Sequence, residues 1–177
     1  MTSTRHTERL TLRRFEDRDL EPLLGYRSDP EVARWQVWPP QDRALVREWL
    51  DQVMTGEPGT PGRWFQWAVE SEGVLVGDVG LRTDADPRVM EVGFTFSRAV
   101  WGRGYGSEAV RSVLDAAFAL GAHRVFGNCD ARNLASARLM ERVGMRREAH
   151  HLEDWWARGE WTSSFVYAIL AREWTNR

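Results

Sequence analysis

The sequence contains no lysine, and all 24 of its basic residues are arginines. Schiff-base chemistry and a Walker-type phosphate-binding loop both need a lysine, so neither can operate in this chain. The single cysteine, Cys129, excludes an internal disulfide and favours a cytoplasmic protein. The sequence also lacks any run of about 18 apolar residues, the length that spans a bilayer, so we expect no membrane partner.

Charge of either sign is not in large excess, because the net charge is −2 at pH 7. This balance gives no general reason to bind nucleic acid. A chain of 177 residues, 42% of them hydrophobic, is long enough for one domain with a sizeable core. No internal repeat or linker divides it, so we expect a single domain over residues 1–177, without a metal site.

Apolar residues recur with both strand and helix spacing along the chain. We expect strands at 10–13, 64–70, 74–81, 89–96, 124–129 and 161–170, and helices at 17–27, 42–54, 108–120 and 133–143. Segments 31–40 and 55–62 are expected to be irregular and 145–156 to be extended. The helix over 42–54 is expected to bury Leu45, Trp49, Leu50 and Val53. Mixed strands with a few helices favour an α+β or three-layer sandwich.

The most informative segment is Trp101-Gly-Arg-Gly-Tyr-Gly-Ser107, which lies between a predicted strand and a predicted helix. Glycines at 102, 104 and 106 remove side chains that would keep a ligand away from the backbone. The N–H groups of a helix's first turn have no partner inside the helix and attract anions. This order of elements predicts a site for a phosphorylated ligand, and a tight turn without a ligand is the alternative. A dinucleotide fingerprint is not met, because its third glycine would come one residue after Gly106.

A second polar signal follows the next predicted strand, where Asn133 and Ser136 open a predicted helix. Either residue alone is explained by helix capping. Capping does not explain why this pair follows the glycine segment in this order along one chain.

Together these segments resemble the GNAT superfamily of acyl-CoA-dependent N-acyltransferases. Its pyrophosphate motif, Gln/Arg-x-x-Gly-x-Gly/Ala, corresponds to residues 101–106, with Trp101 in place of the usual Gln or Arg. The branch of ribosomal-protein-alanine N-acetyltransferases commonly carries Trp-Gly-Lys/Arg-Gly-Tyr-Ala/Gly-x-Glu-Ala, which residues 101–109 match. Residues 91–94 and 133–145 match its flanking motifs, whereas Ser163 stands where that branch has Asp. The resemblance covers roughly residues 8–174.

The resemblance implies an α+β fold, a three-layer α/β/α sandwich whose mixed, mostly antiparallel central sheet splays between its fourth and fifth strands. It implies acetyl-CoA as the cosubstrate and an amine as the acceptor. The pantetheine arm would pair with the fourth strand, and Asn133 would hydrogen-bond its amide. The residues implied in cofactor binding are Phe94, Thr95, Phe96, Trp101, Gly102, Arg103, Gly104, Tyr105, Gly106, Ser107 and Asn133.

The family transfers the acyl group directly, so the chain has to neutralise the amine, stabilise the oxyanion and protonate the leaving thiolate. A backbone N–H near Phe94 would bind the oxyanion. Glu91 is our first candidate for the base, and Glu153, Asp154, Glu160 and the histidines at 150 and 151 are alternatives. Many family members carry a Tyr acid where this chain has Met140, so Ser136 is the candidate acid. Cys129 is expected to be a small buried residue rather than an acyl carrier.

In the family, two segments form the acceptor cleft: the one between the first two helices and the one before the last strand. Trp35, Trp38, Asp154 and Trp155 fall in these segments and are the candidate acceptor-binding residues, although core or homodimer contacts would also suit the tryptophans. The acceptor would be a protein N-terminal α-amine or, alternatively, a small-molecule amine such as an antibiotic or a metabolite. The third hypothesis is a sensor that binds CoA but transfers no acetyl group.

Overall fold

The fold is taken from a computed structural model, which describes residues 4–36, 38 and 40–175. Within these residues, eight strands form one sheet in the order β1-β2-β3-β4-β5-β6-β8-β7. Neighbouring strands are antiparallel except β5 and β6, which run parallel. The strands are β1 Arg5–His6, β2 Thr11–Arg13, β3 Trp64–Ser71, β4 Val74–Thr83, β5 Val89–Phe96, β6 Arg124–Asp130, β7 Arg146–Ala157 and β8 Glu160–Leu170.

Helices cover both faces of this sheet, with one part of the core on each side. Val110, Val113 and Leu114 are fully buried against one face, and Val46 and Leu50 are fully buried on the other. No helix within the described residues is long and apolar enough to cross a membrane. The helices are α1 Leu20–Arg27, α2 Pro30–Ala33, α3 Arg43–Val53, α4 Tyr105–Ala119, α5 Leu134–Arg142 and α6 Ala171–Trp174.

The α+β prediction is confirmed, and the differences from the predicted elements are local. β1 and α6 were not predicted, and α2 lies in a segment expected to be irregular. Its start carries helix signals, since the Asp29 side chain accepts a hydrogen bond from the N–H of Glu31 and Pro30 occupies the first turn. Val37 and Pro39, from the same segment, lie outside the described residues. In α3, Leu45 is 46% exposed, because the buried face contains Val46 and Leu50 one turn apart.

The sheet opens between β5 and β6, as the family resemblance implies. The two strands pair only from Val89–Arg124 to Glu91–Phe126. Beyond that point β5 stays with β4 as far as Phe96, and β6 stays with β8 as far as Asp130. These are the fourth and fifth of the predicted strands. They are the fifth and sixth strands of the structure, because β1 was not predicted. The divergence leaves the edge of β5 open over its last residues.

Candidate active site

A cleft of about 610 Å³ lies where β5 and β6 separate, and we call it the splay cleft. It is lined by the end of β5, the loop that enters α4, and α5 from its N-terminal cap to Arg142. All eleven residues that the resemblance assigned to the cofactor line it, and so does the candidate acid Ser136. Their individual roles remain predictions, but the structure brings them to one place.

The loop that enters α4 leaves the N–H groups of the helix's first turn exposed, which is the arrangement that binds anions at helix N-termini. Gly102 and Gly104 have φ angles of +76° and +81°, a left-handed conformation that side chains disfavour. The N–H of Glu108 makes the first bond of α4, to the carbonyl of Gly104. The preceding N–H groups of residues 105–107 therefore have no acceptor inside the helix and are available to an anion.

The third glycine of the motif serves helix packing. A Cβ at Gly106, which lies inside α4, would come within 2.6 Å of Leu139 Cδ1 on α5 and 3.4 Å of Phe96 Cε2. Because that Cβ is missing, α4 and α5 approach closely and together form two walls of the splay cleft.

Three arginines line the splay cleft, and its described lining residues include no carboxylate. Arg103 belongs to the glycine segment, whereas Arg138 and Arg142 lie on α5. Arg142 Nη1 donates to Ser107 Oγ across 3.3 Å, which places its guanidinium beside the first turn of α4. Neither of these α5 residues was predicted from the sequence, although their i,i+4 spacing puts them on one helix face. Three guanidiniums and a helix N-terminus give this cleft the charge that a diphosphate requires.

Trp101 and Asn133 shape the splay cleft through their own hydrogen bonds. The indole nitrogen of Trp101 donates to the carbonyl of Phe96 across 2.9 Å and holds the loop against the end of β5. Asn133 caps α5, since its side-chain oxygen accepts from the N–H of Ser136 across 3.1 Å. A ligand carbonyl in the cleft would therefore bind the amide nitrogen of Asn133.

Glu91 sits at the point where β5 and β6 part, but it does not line the splay cleft. Arg82 donates to its Oε2 from Nε across 3.0 Å, and Asn128 Nδ2 donates to its Oε1 across 3.1 Å. Both carboxylate oxygens are thus engaged, and its role as the base remains a prediction. Burial and the charge of Asp130 raise the pKa of Cys129 to about 12, so the thiol stays protonated and is a poor nucleophile at neutral pH.

A second cavity, of about 1230 Å³, lies on the other side of β5, and we call it the second pocket. Phe94, Thr95 and Gln36 line both cavities, so the two meet at the open end of β5. The second pocket is walled by α3 and by residues 55–63, and Gly93 forms part of its floor. Three tryptophans line it, Trp38, Trp49 and Trp64, and the sequence analysis had singled out only the first for the acceptor.

The other predicted acceptor residues fall elsewhere. Trp35 lines the splay cleft and not the second pocket. Asp154 accepts a hydrogen bond from Ser164 Oγ across 2.6 Å within the β7–β8 hairpin, and Trp155 is 54% exposed on β7. Neither Asp154 nor Trp155 lines either cavity among the described residues.

Comparisons with known proteins agree with this geometry. The family model of the acetyltransferase (GNAT) domain matches residues 9–146. The uncharacterized N-acetyltransferase YnaD of Bacillus subtilis is 28% identical over 169 residues, which cover 95% of this chain and 97% of YnaD. YkkB of the same organism is 34% identical over 146 residues, which cover 78% of this chain and 83% of YkkB.

Solved structures show the same fold. A GNAT-family acetyltransferase from Bacillus anthracis superposes with a TM-score of 0.87 at 28% identity, over 96% of this chain and 99% of its own. Two structures of lower sequence identity share only the fold with this chain. Spermidine N-acetyltransferase from Vibrio cholerae, in complex with CoA and spermine, has a TM-score of 0.82 at 20% identity, over 96% of this chain and all of its own. RimL, a ribosomal L7/L12 α-N-protein acetyltransferase in complex with coenzyme A, has a TM-score of 0.83 at 14% identity, over 93% of this chain and 95% of its own. The match of the family model over most of the chain confirms the resemblance, and the chain belongs to the GNAT family of N-acetyltransferases, whose cosubstrate is acetyl-CoA.

Proposed function

We propose that the chain transfers the acetyl group of acetyl-CoA directly to the primary amine of a small molecule held in the second pocket. The observation that carries this proposal is the meeting of two cavities at Phe94 and Thr95. One cavity is cationic and suits a diphosphate, and the other is walled by indoles and suits an organic amine. A thioester and an amine bound in them would meet at the open edge of β5.

The cofactor would occupy the splay cleft. Its diphosphate would bind the first turn of α4 beside Arg142, and its pantetheine arm would follow the unpaired edge of β5 at residues 94–96. A backbone N–H near Phe94 would bind the oxyanion, and Ser136 would hydrogen-bond the leaving sulfur. That no metal takes part, and that the protein is cytoplasmic, remain predictions from the sequence.

The charges of the second pocket disfavour an acceptor with several positive charges. Its described lining residues include two carboxylates, Glu57 and Asp78, and two guanidiniums, Arg27 and Arg63. A polyamine carries several ammonium groups, and this balanced set does not compensate them. The three indoles favour an acceptor with an aromatic or apolar body, because cations and apolar groups both bind aromatic faces.

A protein N-terminus is the second candidate acceptor, and a specific observation favours it. Trp155, Trp156 and Trp161 are each more than half exposed on the β7–β8 hairpin. Arg158, in the turn of this hairpin, donates to the carbonyls of Ala33 and Gln36 across 3.1 and 2.9 Å. The exposed indoles thus stand beside a segment that lines both cavities, where a protein substrate could contact them. A homodimer contact at the same surface remains a prediction.

The test is release of CoA thiol from acetyl-CoA in the presence of four acceptors. We would compare phenylethylamine, spermidine, a tripeptide with a free N-terminus, and the same tripeptide N-acetylated as the control. We expect turnover with phenylethylamine to exceed that with spermidine, and the blocked tripeptide to give only background hydrolysis. Preference for the free tripeptide would support the second candidate. Tight binding of acetyl-CoA in calorimetry without turnover of any amine would overturn the proposal and favour a sensor.

A further inference from the structure

The second pocket contains one buried carboxylate, Asp78, close to the place where the thioester would lie. Asp78 is 4% exposed on β4 and pairs directly with Thr95 of β5. Residues opposite each other in antiparallel strands have Cβ atoms about 4.5–5.5 Å apart. Thr95 lines both cavities and Asp78 lines the second pocket, so this carboxylate lies beside the junction. Glu57, the other acid of the pocket, has a side chain that is 71% exposed and is paired with Arg14.

One carboxylate oxygen of Asp78 is held and the other is free for a ligand. The hydroxyl of Tyr26 donates to Oδ2 across 2.6 Å, and Arg27 Nη2 lies 4.0 Å from the same oxygen. Within the described residues, the contacts of Asp78 with polar side chains all involve Oδ2. Oδ1 is therefore the atom that can accept a hydrogen bond from an amine in the pocket.

The cation beside Asp78 is fixed by aromatic rings. The guanidinium of Arg27 lies 3.6 Å from the ring centre of Trp49 and 4.7 Å from that of Trp38. Its Nη1 donates to Gln41 Oε1 across 3.2 Å. Arg27 is 3% exposed, and its stacking on these rings holds it 4.0 Å from Asp78, too far for a bidentate pair. The Asp78 charge is only partly compensated, and an ammonium ion would complete the compensation.

The groups around Asp78 make it a stronger base than an exposed aspartate. Burial raises its pKa, and the charge of Arg27 and the Tyr26 hydrogen bond oppose that rise without cancelling it. Burial and the negative charge of Asp78 raise the pKa of Tyr26, so its hydroxyl keeps its proton. The residues paired with Asp78 on β3 and β5 are Ala68 and Thr95, which are neutral.

We propose that Asp78 binds the ammonium group of the acceptor and takes its proton, with Tyr26 and Arg27 as positioning residues; this inference rests on the proposed function. The proton passes from the ammonium nitrogen to Oδ1. The neutral amine then attacks the carbonyl carbon of the thioester, so that a C–N bond forms and the C–S bond breaks. The departing thiolate takes the second proton lost by the nitrogen, and Asp78 returns its proton to solvent.

Glu91 is the rival for this role. Its two oxygens are occupied by Arg82 and Asn128, and it lines neither cavity. Asp78 has a free oxygen and lines the pocket where the amine would bind. Substituting each acid by its amide separates the two candidates.

The experiment measures kcat/KM with phenylethylamine across pH for the parent, Asp78→Asn, Glu91→Gln and the control Asp86→Asn, whose exposed carboxylate pairs with Arg88 between β4 and β5. We expect Asp78→Asn to lower kcat/KM at least about 100-fold near neutral pH, the range of general-base effects. The loss should shrink toward about pH 10, where much more of the amine is already neutral. Asp86→Asn should match the parent. The dissociation constant of acetyl-CoA, measured by calorimetry, should stay within about twofold for Asp78→Asn.

Equal kcat/KM for Asp78→Asn and the parent at every pH would overturn the inference. So would a result in which Glu91→Gln, and not Asp78→Asn, loses the fall of kcat/KM at low pH, which we call the acid limb. If Asp78→Asn does not fold, Tyr26→Phe decides. Removing that hydrogen bond should move the acid limb of kcat/KM to higher pH, because it raises the pKa of Asp78, whereas a merely structural Asp78 would leave the limb in place. Lack of turnover in the parent with every amine would overturn the proposed function instead, and this result differs from every outcome above.

Discussion

Replacing Gly77 by alanine is expected to displace the backbone at the open end of β5, because the added Cβ on β4 would collide with it. Gly77 lies on β4 opposite Phe96, and a Cβ there would stand 2.5 Å from both the carbonyl oxygen of Thr95 and Phe96 Cδ1. A flexible side chain could move aside, but the Thr95 carbonyl belongs to a strand that pairs with β4 at seven positions. The backbone at residues 95–96 therefore has to shift.

The size of the effect follows from two opposing terms. Forcing an extra methyl group into a packed site costs about 1–3 kcal/mol. Alanine recovers about 0.5–1 kcal/mol relative to glycine inside a strand. From the middle of each range we expect the free energy of unfolding of Gly77→Ala to fall by about 1 kcal/mol, which lowers the Tm by about 2–4 °C for a chain of this size. If the shift also breaks one backbone hydrogen bond to the pantetheine arm, about 0.5–1.5 kcal/mol, the Kd of acetyl-CoA rises roughly 2–10-fold.

Gly93→Ala is the matched control, because Gly93 lies on the neighbouring strand and its added Cβ would meet only the Trp64 ring, with Cη2 at 3.3 Å and Cζ3 at 3.5 Å. Since Gly93 lines the second pocket and not the splay cleft, this variant should raise the KM of the acceptor and leave the Kd of acetyl-CoA unchanged. Thermal unfolding and calorimetry measure both variants. Parent-like Tm and Kd values for Gly77→Ala would refute the steric argument.

Three further predictions concern the splay cleft and its support. Arg142→Gln removes one of three guanidiniums, so calorimetry should show an approximately tenfold higher Kd for acetyl-CoA and a weaker dependence on salt. Ser136→Ala should lower kcat less than about tenfold with an unchanged Kd, and a complete loss of turnover would show that the hydroxyl does more than hydrogen-bond the sulfur. Burial raises the pKa of Glu108, but hydrogen bonds from Thr7 and Arg9 outweigh it and lower the pKa overall. Glu108 therefore stabilises the fold above its unfolded pKa of about 4.3 and loses that effect as pH falls, so urea unfolding should show Glu108→Gln about 1 kcal/mol less stable at neutral pH and equal to the parent in acid.

Much of the splay cleft was predictable because its signals are local. A left-handed turn needs glycine, so Gly102 and Gly104 mark the bend directly in the sequence. A helix start needs a capping side chain, so Asn133 marks the first turn of α5. The order of these signals identified the family, and the family implied the divergence of two strands that no local pattern shows.

The acceptor side was less predictable because strand register decides it. β7 pairs with β8 through two irregularities, one of them between His151 and Trp155, and Glu153 has a φ of +47° in that interval. A bulge changes which face a later side chain occupies, and a one-residue slip reverses every one after it. The position of Asp154 and Trp155 outside the lining of both cavities therefore could not be predicted from the sequence.

Asp78 escaped the sequence analysis for a related reason. Its segment contains mainly hydrophobic and glycine residues, and one acid in a strand is ordinarily a solvated residue on an open face. Its burial depends on α1, more than 50 residues earlier in the chain, which supplies Tyr26 and Arg27. The position of the Arg27 guanidinium in turn depends on its stacking against Trp49 of α3. Such a contact set is fixed by tertiary packing, and no spacing rule along the chain encodes it.

The separation of the two cavities follows from the alternation of side chains along β5. Phe96 lines only the splay cleft and Gly93 only the second pocket, whereas Phe94 and Thr95 line both. Successive strand residues point to opposite faces, so one strand can present one surface to a cofactor and another to an acceptor. Phe94 and Thr95 are shared because they lie on the edge of β5 that is left open where its pairing with β6 stops at Glu91–Phe126. The divergence of β5 from β6 thus opens the splay cleft and also exposes the edge of β5 at which, in the proposed function, the thioester and the amine would meet.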